Sequence, residues 1–311
     1  MRPPAGIIAL GVLAASLSGL GCAHSQNKDE APPFTMPESE PNARSVLTED
    51  EKSQAAIEIG LPGKTELDVP GKIRISLSNA RVRLDGATKA GGASITVKLA
   101  KGKPTCKTKL AVSPTRLTLV EASATDMGES AGGNGKPGAC HYEVKIATPD
   151  AGELEVDIRR GSLAVSNWPE PIRVRLRWGE IEFEAIGPLS VDCVECSIDG
   201  SGIAGKLRYS VGKGNIGVEG LTGSVDGFTH GDTVLRWKKM NPGSQVSVTS
   251  LVGDVILEIP KTVPLALDLR VPKGEIYSRL KPSEVVVNSQ ELRRGIPLTV
   301  VAESGNLRLL H

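Results

Sequence analysis

From Leu61 onward, apolar and polar positions alternate with a period of two. The run LDVPGKIRISLSNARVRLDG places Ile73, Ile75 and Leu77, then Val82 and Leu84, on one side, and ASITVKLAKG continues with Ile95, Val97 and Leu99. Successive side chains of a strand point to opposite faces, so each run predicts a strand with one covered face. Residues 116–126, RLTLVEASATD, fit a strand or a short helix equally well. The stretch MGESAGGNGKPGAC predicts a loop, because clustered Gly, Asn and Pro interrupt regular structure, and HYEVKIATPD resumes a strand. Together these segments form a first β region at 61–150.

Beyond residue 150 a short unit recurs: a glycine, a usually polar residue, then two mainly apolar positions separated by one. It reads GELEV from Gly152, GSLAV from Gly161, GEIEF from Gly179, GPLSV from Gly187, GKLRY from Gly205 and GNIGV from Gly214. More degenerate copies follow as GSVDG from Gly223, GDTVL from Gly231, GDVIL from Gly253, GEIYS from Gly274 and GNLRL from Gly305, and GKIRI from Gly71 is an outlying copy. The early spacings cluster at one or two units of about nine residues. Glycine permits a tight turn, and the alternating residues make a strand too short to bury much alone. Stacked rungs would share a core. The predicted fold is all-β, an irregular β-solenoid of short stacked strands over 151–311. Closure of the same strands into a β-sandwich is the alternative.

Over about residues 150–309 the chain resembles the DUF4097 family of adhesin-like bacterial β-solenoid proteins. The resemblance rests on GSLAV, GEIEF, GNIGV, VSVTSLVGDVILEIP at 246–260, VPLALDLRVPKGEIYS at 263–278 and LTVVAESGNLRLL at 298–310. It implies a fold rather than an activity, and it transfers no catalytic residue.

The N-terminus sets the compartment. Arg2 followed by the apolar stretch from Ile7 to Leu20 reads as a signal peptide over 1–21, since the stretch is too short for a stable membrane span. Gly21 before Cys22 resembles a bacterial lipobox, in which Cys22 becomes the acylated first residue of the mature chain. Ala23 rather than aspartate follows, which by resemblance to Gram-negative lipoproteins points to the outer membrane, in either leaflet. Residues 23–60 carry three basic against eight acidic side chains with several prolines, so 22–60 reads as an acylated cysteine on a disordered acidic tether.

Composition then narrows the function. Across the whole chain 37 Lys and Arg balance 36 Asp and Glu, which argues against a nucleic-acid partner. Three each of Trp, Tyr and Phe offer little stacking surface for sugars. The segment IRVRLRWGEIEFEAIG sets Arg173, Arg175 and Arg177 opposite Ile172, Val174, Leu176 and Trp178, and then Glu180, Glu182 and Glu184 opposite Ile181 and Phe183. Adjacent strands would match the arginine row to the glutamate row, and an anion or partner site is the alternative. Trp168 and Trp237 read as packing or rim residues, and Arg236, Trp237, Lys238 and Lys239 form a small basic patch. These eight residues are the candidate interaction surface.

Cys106, Cys140, Cys193 and Cys196 suggest two local disulfides in an exported chain, although CVEC also has redox and zinc spacing. A bond between Cys193 and Cys196 requires the strand to bend, because positions three apart on a straight strand face opposite ways. Only four histidines occur, and no histidine metalloprotease motif, nucleophile elbow or phosphate loop is present. The remaining enzyme reading would use Asp192 with Glu195, or Asp226 with Asp232, on polysaccharide. The expected role is a non-enzymatic envelope lipoprotein acting as a scaffold, held to the membrane by its lipid and contacting an envelope protein or extracellular matrix. A cell-surface adhesin or ligand-binding module is the alternative. Mass analysis of the mature chain is expected to find acylated Cys22 as its first residue. A chain that begins elsewhere without acyl groups overturns the lipoprotein reading.

Overall fold

The computed structural model describes residues 56–57, 63–67, 71–86, 93–101, 106, 108–113, 116–121, 140–149, 152–261, 264–280 and 295–310. The signal peptide, Cys22 and nearly all of the tether lie outside them, as does the loop 127–139. Every regular element among the described residues is a strand.

Three long strands, β8 (Glu153–Trp168), β9 (Ile172–Ile186) and β10 (Leu189–Ile203), each make one coil. The next coils are interrupted at their midpoint: β11 (Leu207–Lys213) with β12 (Ile216–Leu221), β13 (Val225–Thr229) with β14 (Thr233–Trp237), and β15 (Val246–Ser250) with β16 (Val255–Glu258). Neighbouring coils pair in parallel, with Leu154 beside Ile172, then Leu189, Leu207, Val225 and Val246. Consecutive parallel coils make a solenoid. The two halves of each coil form two sheets that share one buried core. The recurring nine-residue unit is therefore half a coil.

The halves are separated by a corner at which alternation slips by one residue. In β8 both Arg159 and Arg160 are exposed between buried Ile158 and Leu163, and in β10 Val194 and Glu195 are exposed between buried Cys193 and Cys196. A strand that shows two successive residues to solvent has turned, and its inward set continues on the second sheet.

Glycine at the corner has a steric cause beyond backbone freedom. Gly179 has φ 147°, and a Cβ there would collide with the carbonyl oxygen of Gly161 on the preceding coil. Gly253, with φ 122°, abuts the backbone of Gly231 and Asp232 in the same way. Inside the core, glycine is matched to an aromatic: a Cβ on Gly200 would meet the Phe183 ring, and one on Gly227 the Tyr209 ring. Trp168 and Trp237 close their coils, each indole N–H donating to the carbonyl at the start of its coil, Gly152 at 2.9 Å and Gly223 at 3.0 Å.

The residue after the corner glycine carries a second ladder. Asn215 Oδ1 accepts from the Asp232 N–H at 3.1 Å, Asp232 Oδ1 from the Asp254 N–H at 2.8 Å, and Asp254 Oδ1 from the Asn306 N–H at 2.8 Å. Each side chain thus satisfies a turn donor of the next coil.

The first coil is β3 (Lys72–Asp85), which pairs with β8 along its whole length. On its other side β3 is divided between two strands, β6 (Arg116–Glu121) on one sheet and β7 (His141–Ala147) on the other. Antiparallel strands extend both: β5 (Thr108–Ser113) joins β6 and receives β1 (Ala56–Ile57), while β4 (Ala93–Lys101) joins β7 and receives β2 (Gly63–Leu67). The Cys106–Cys140 disulfide, Cα–Cα 5.7 Å, links the entries to β5 and β7 and so ties the two arms. Residues 116–121 are thus strand, and Ala56–Ile57, at the end of the segment expected to be tether, is already paired.

At the far end, sequence order and spatial order part. The strands β19 (Ile296–Ala302) and β20 (Leu307–Leu310) pair with β15 and β16, and the earlier strands β17 (Leu265–Arg270) and β18 (Ile276–Ser278) lie outside them. In urea titrations Gly179→Ala is expected to cost ~3–4 kcal/mol. Gly243→Ala, where φ is 83° and no atom lies within 4 Å, is expected to cost only ~1 kcal/mol.

Candidate functional site

The corner leaves a trough that runs along the solenoid axis. Its floor is Ala80, Gly161, Gly179, Cys196 and Gly214, a line of backbone and small side chains across five coils. One wall is the register column Arg160, Trp178, Glu195 and Lys213. The other is Arg81, Ser162, Glu180 and Ser197. The cavity measures about 650 Å³, with His141 also on its lining. Coils spaced about 4.8 Å apart make the five-coil floor about 19 Å long.

Trp178 is the centre of this wall. Simple alternation along IRVRLRW puts it inward beside Leu176, but the corner intervenes and leaves it half-buried at the surface. The Arg160 guanidinium carbon lies 5.5 Å from the Trp178 ring centroid and that of Arg177 lies 5.3 Å away. Cations at this distance from an indole are attracted by its quadrupole. Lys213 Nζ lies 3.3 Å from Glu195 Oε1 farther along the wall.

The disulfide between Cys193 and Cys196, Cα–Cα 6.2 Å, spans the corner beneath this wall. The bend turns both cysteines inward, and both are buried. Cys196 occupies the place that glycine holds in the coils on either side.

The candidate interaction surface is redistributed by the fold. Trp168 and Trp237 are core residues and take no part in it. Arg173, Arg175 and Arg177 are exposed, but they do not face Glu180, Glu182 and Glu184: both rows belong to β9 and the corner puts them on different sheets. Arg173 instead neighbours Glu155 and lies 3.8 Å from Glu153, and Arg175 sits between Asp157 and Asp192. The Asp157 carboxyl is held above the usual range, chiefly by loss of water among its neighbours, with Glu155 adding to the effect and Arg175 and Arg74 opposing it. In the basic patch, Arg236 contacts Glu219 and lies 3.2 Å from Glu258 on the next coil, while Lys238 and Lys239 are exposed at the following turn. Exposed pairs of this kind contribute little to stability.

The carboxylates considered for acid–base work are each engaged with neighbouring coils. Glu195 pairs with Lys213, Asp226 lies 3.0 Å from Arg208, Asp232 belongs to the corner ladder and Asp192 flanks Arg175. Among the described residues, no group of three or more His, Cys, Asp or Glu could hold a metal ion. Tyr142 and Tyr209 are core residues whose phenols burial pushes well above their ordinary range.

No family model matches the chain, and no curated protein does. Among solved structures it is similar to a candidate cell adhesion protein from Clostridium sporogenes, at 11% identity over 80% of this chain and 98% of that one with a TM-score of 0.25. It is also similar to two proteins from Parabacteroides distasonis. One is a candidate adhesin, at 10% identity over 82% and 98% with a TM-score of 0.46. The other is a candidate lipid-binding protein, at 12% identity over 82% and 98% with a TM-score of 0.27.

Of the three tryptophans, Trp178 alone reaches solvent. Iodide quenching of the native protein is expected to reach one class of emission, aided by the flanking arginines, and Trp178→Phe is expected to abolish that class. Undiminished quenching in the variant places an accessible indole elsewhere.

Proposed function

We propose that the chain is a non-catalytic binding module of the bacterial envelope, and that the corner trough takes a linear acidic polysaccharide. The observation that carries this reading is Trp178, with the Arg160 and Arg177 guanidinium groups over its ring, on the wall of a trough floored mainly by glycine. A polymer lying along the axis would meet a new coil at every step of about 4.8 Å, a repeat close to the length of one sugar ring in an extended chain. The indole and the guanidinium groups over it would together give sugar rings a flat cationic surface. Lys213 is paired with Glu195 on the lining, so Arg81 and Arg160, with Arg177 beside Trp178, would take the carboxylates.

This reading takes the adhesin or ligand-binding alternative over a purely structural scaffold, because a scaffold does not require an open trough with an aromatic wall. Scarce aromatics argue against a broad sugar platform. They leave room for one ring placed where a polymer would pass. The lipid at Cys22 and the acidic stalk belong to the same proposal: they would hold the trough away from the membrane while several acyl chains retain the protein there. The matrix partner would then be the polysaccharide itself.

Affinity electrophoresis tests the proposal. Polygalacturonate in the gel is expected to retard the protein and uncharged dextran is not, and added salt is expected to weaken the retardation. Trp178→Ala and Arg160→Ala are each expected to lower affinity about tenfold, or ~1.4 kcal/mol. Equal retardation by dextran, or variants indistinguishable from the parent, overturns the reading. Equal binding of poly-glutamate would assign the trough to acidic polypeptide instead.

A further inference from the structure

The two ends of the coil stack are finished differently. At the first coil, β6 and β7 continue both sheets with antiparallel arms. At the other end the outermost strands are β17 and β18, and among the described residues each has a single neighbour, β19 and β20 respectively. The core is incomplete there. Leu298 and Val300 of β19 are wholly buried, whereas their register partners Leu267 and Leu269 on β17 are half-buried, as is Val271. Ile276 and Tyr277 on β18 are 49% and 52% exposed.

This edge, unpaired among the described residues, is also polar in a defined way. The Pro264 carbonyl accepts the Ile296 N–H at 2.9 Å, so Pro264 points toward β19. By alternation the backbone N–H and C=O of Leu265, Leu267 and Leu269 point away from β19. An open edge with apolar inward residues is a template for another strand.

We propose that this edge is a self-association surface, on which β17 pairs antiparallel with β17 of a second copy about a two-fold axis at Leu269. The segment Leu267-Asp268-Leu269-Arg270-Val271 is complementary to itself in that register. On the outer face Asp268 lies opposite Arg270 of the second copy, and Arg270 opposite its Asp268. On the inner face Leu267 meets Val271 of the second copy, and the two Leu269 side chains meet at the axis, which covers the half-buried end of each core. Moving the axis one residue either way sets Asp268 against Asp268 or Arg270 against Arg270, which like charges disfavour. Within one chain Asp268 and Arg270 already lie 3.2 Å apart, so the charges are placed on one face and need only exchange partners. An isologous pairing of this kind closes at two copies. With only Leu267 to Val271 of each copy in the pairing, it falls toward the small end of specific interfaces, so the dimer is expected to depend on concentration.

Sedimentation equilibrium on the full chain in detergent tests this over a hundredfold concentration range. The parent is expected to show a monomer–dimer equilibrium. Asp268→Arg and Arg270→Asp are each expected to weaken self-association at least tenfold, because each sets like charges across the axis. Mixed together, the two variants are expected to associate with one another, since Asp and Arg again face each other. That rescue separates the proposal from misfolding, and circular dichroism of each variant checks it independently. A parent that stays monomeric throughout means that the edge is covered within its own chain and overturns the proposal. So does dimerisation of both single variants at parental strength, or a mixture that fails to associate while both variants keep the parental spectrum.

Discussion

The body of this protein depends on how closely one coil lies against the next at the corner. Parallel ladders satisfy the backbone on both sheets, but between the sheets the chain must turn while keeping the same coil spacing. At that turn the carbonyl of one coil, such as Gly161, occupies the place where the next coil would carry a Cβ. At Gly179 and Gly253 a side chain has no room, and their positive φ adds a second reason for glycine. The corner ladder from Asn215 to Asn306 then meets the donors that the turns expose.

Once the corner is set, the core follows from it. Inward residues stack in columns, as in the line from Ile73 through Leu154, Ile172, Leu189 and Leu207 to Val225, so each side chain is covered by its equivalents above and below. Single rungs bury little, and stability comes from the stack. Where a column changes size, its neighbour compensates: Phe183 covers Gly200 and Tyr209 covers Gly227. The aromatics missing from the surface are largely spent here and in the two coil-closing tryptophans.

The same steric rule makes the candidate site. A line of positions with no outward side chain, glycine or a buried Ala80 and Cys196, is a groove, and the residues on either side of it become walls. The corner also slips the alternation by one, which brings Trp178 out beside Arg160 and Arg177 and turns Cys193 and Cys196 in. A structural constraint and a binding surface therefore share one set of residues, and changes to the floor would disturb both. The ends of the stack obey the opposite logic, because a coil with one neighbour leaves its inward row half covered.

Much of this was legible along the chain. Alternation marked Ile73, Ile75, Val82 and Leu84 as inward, and the glycine-led unit indicated short stacked strands, because period-two burial and tight turns are local properties. The sequence also showed that a bond between Cys193 and Cys196 would need a bend. Alternation cannot report where a corner inserts an extra outward residue, so it misplaced Trp178 and set the arginine row of β9 against a glutamate row that lies on the other sheet. The Asn and Asp following the corner glycines were visible as polar positions, but their role required knowing which coil lies next. What the sequence by itself determined was which way each residue faces within its own strand. Only the tertiary structure decided which strands are neighbours, including the placement of β19 and β20 inside β17 and β18, because that choice is made by contacts between residues far apart in the chain.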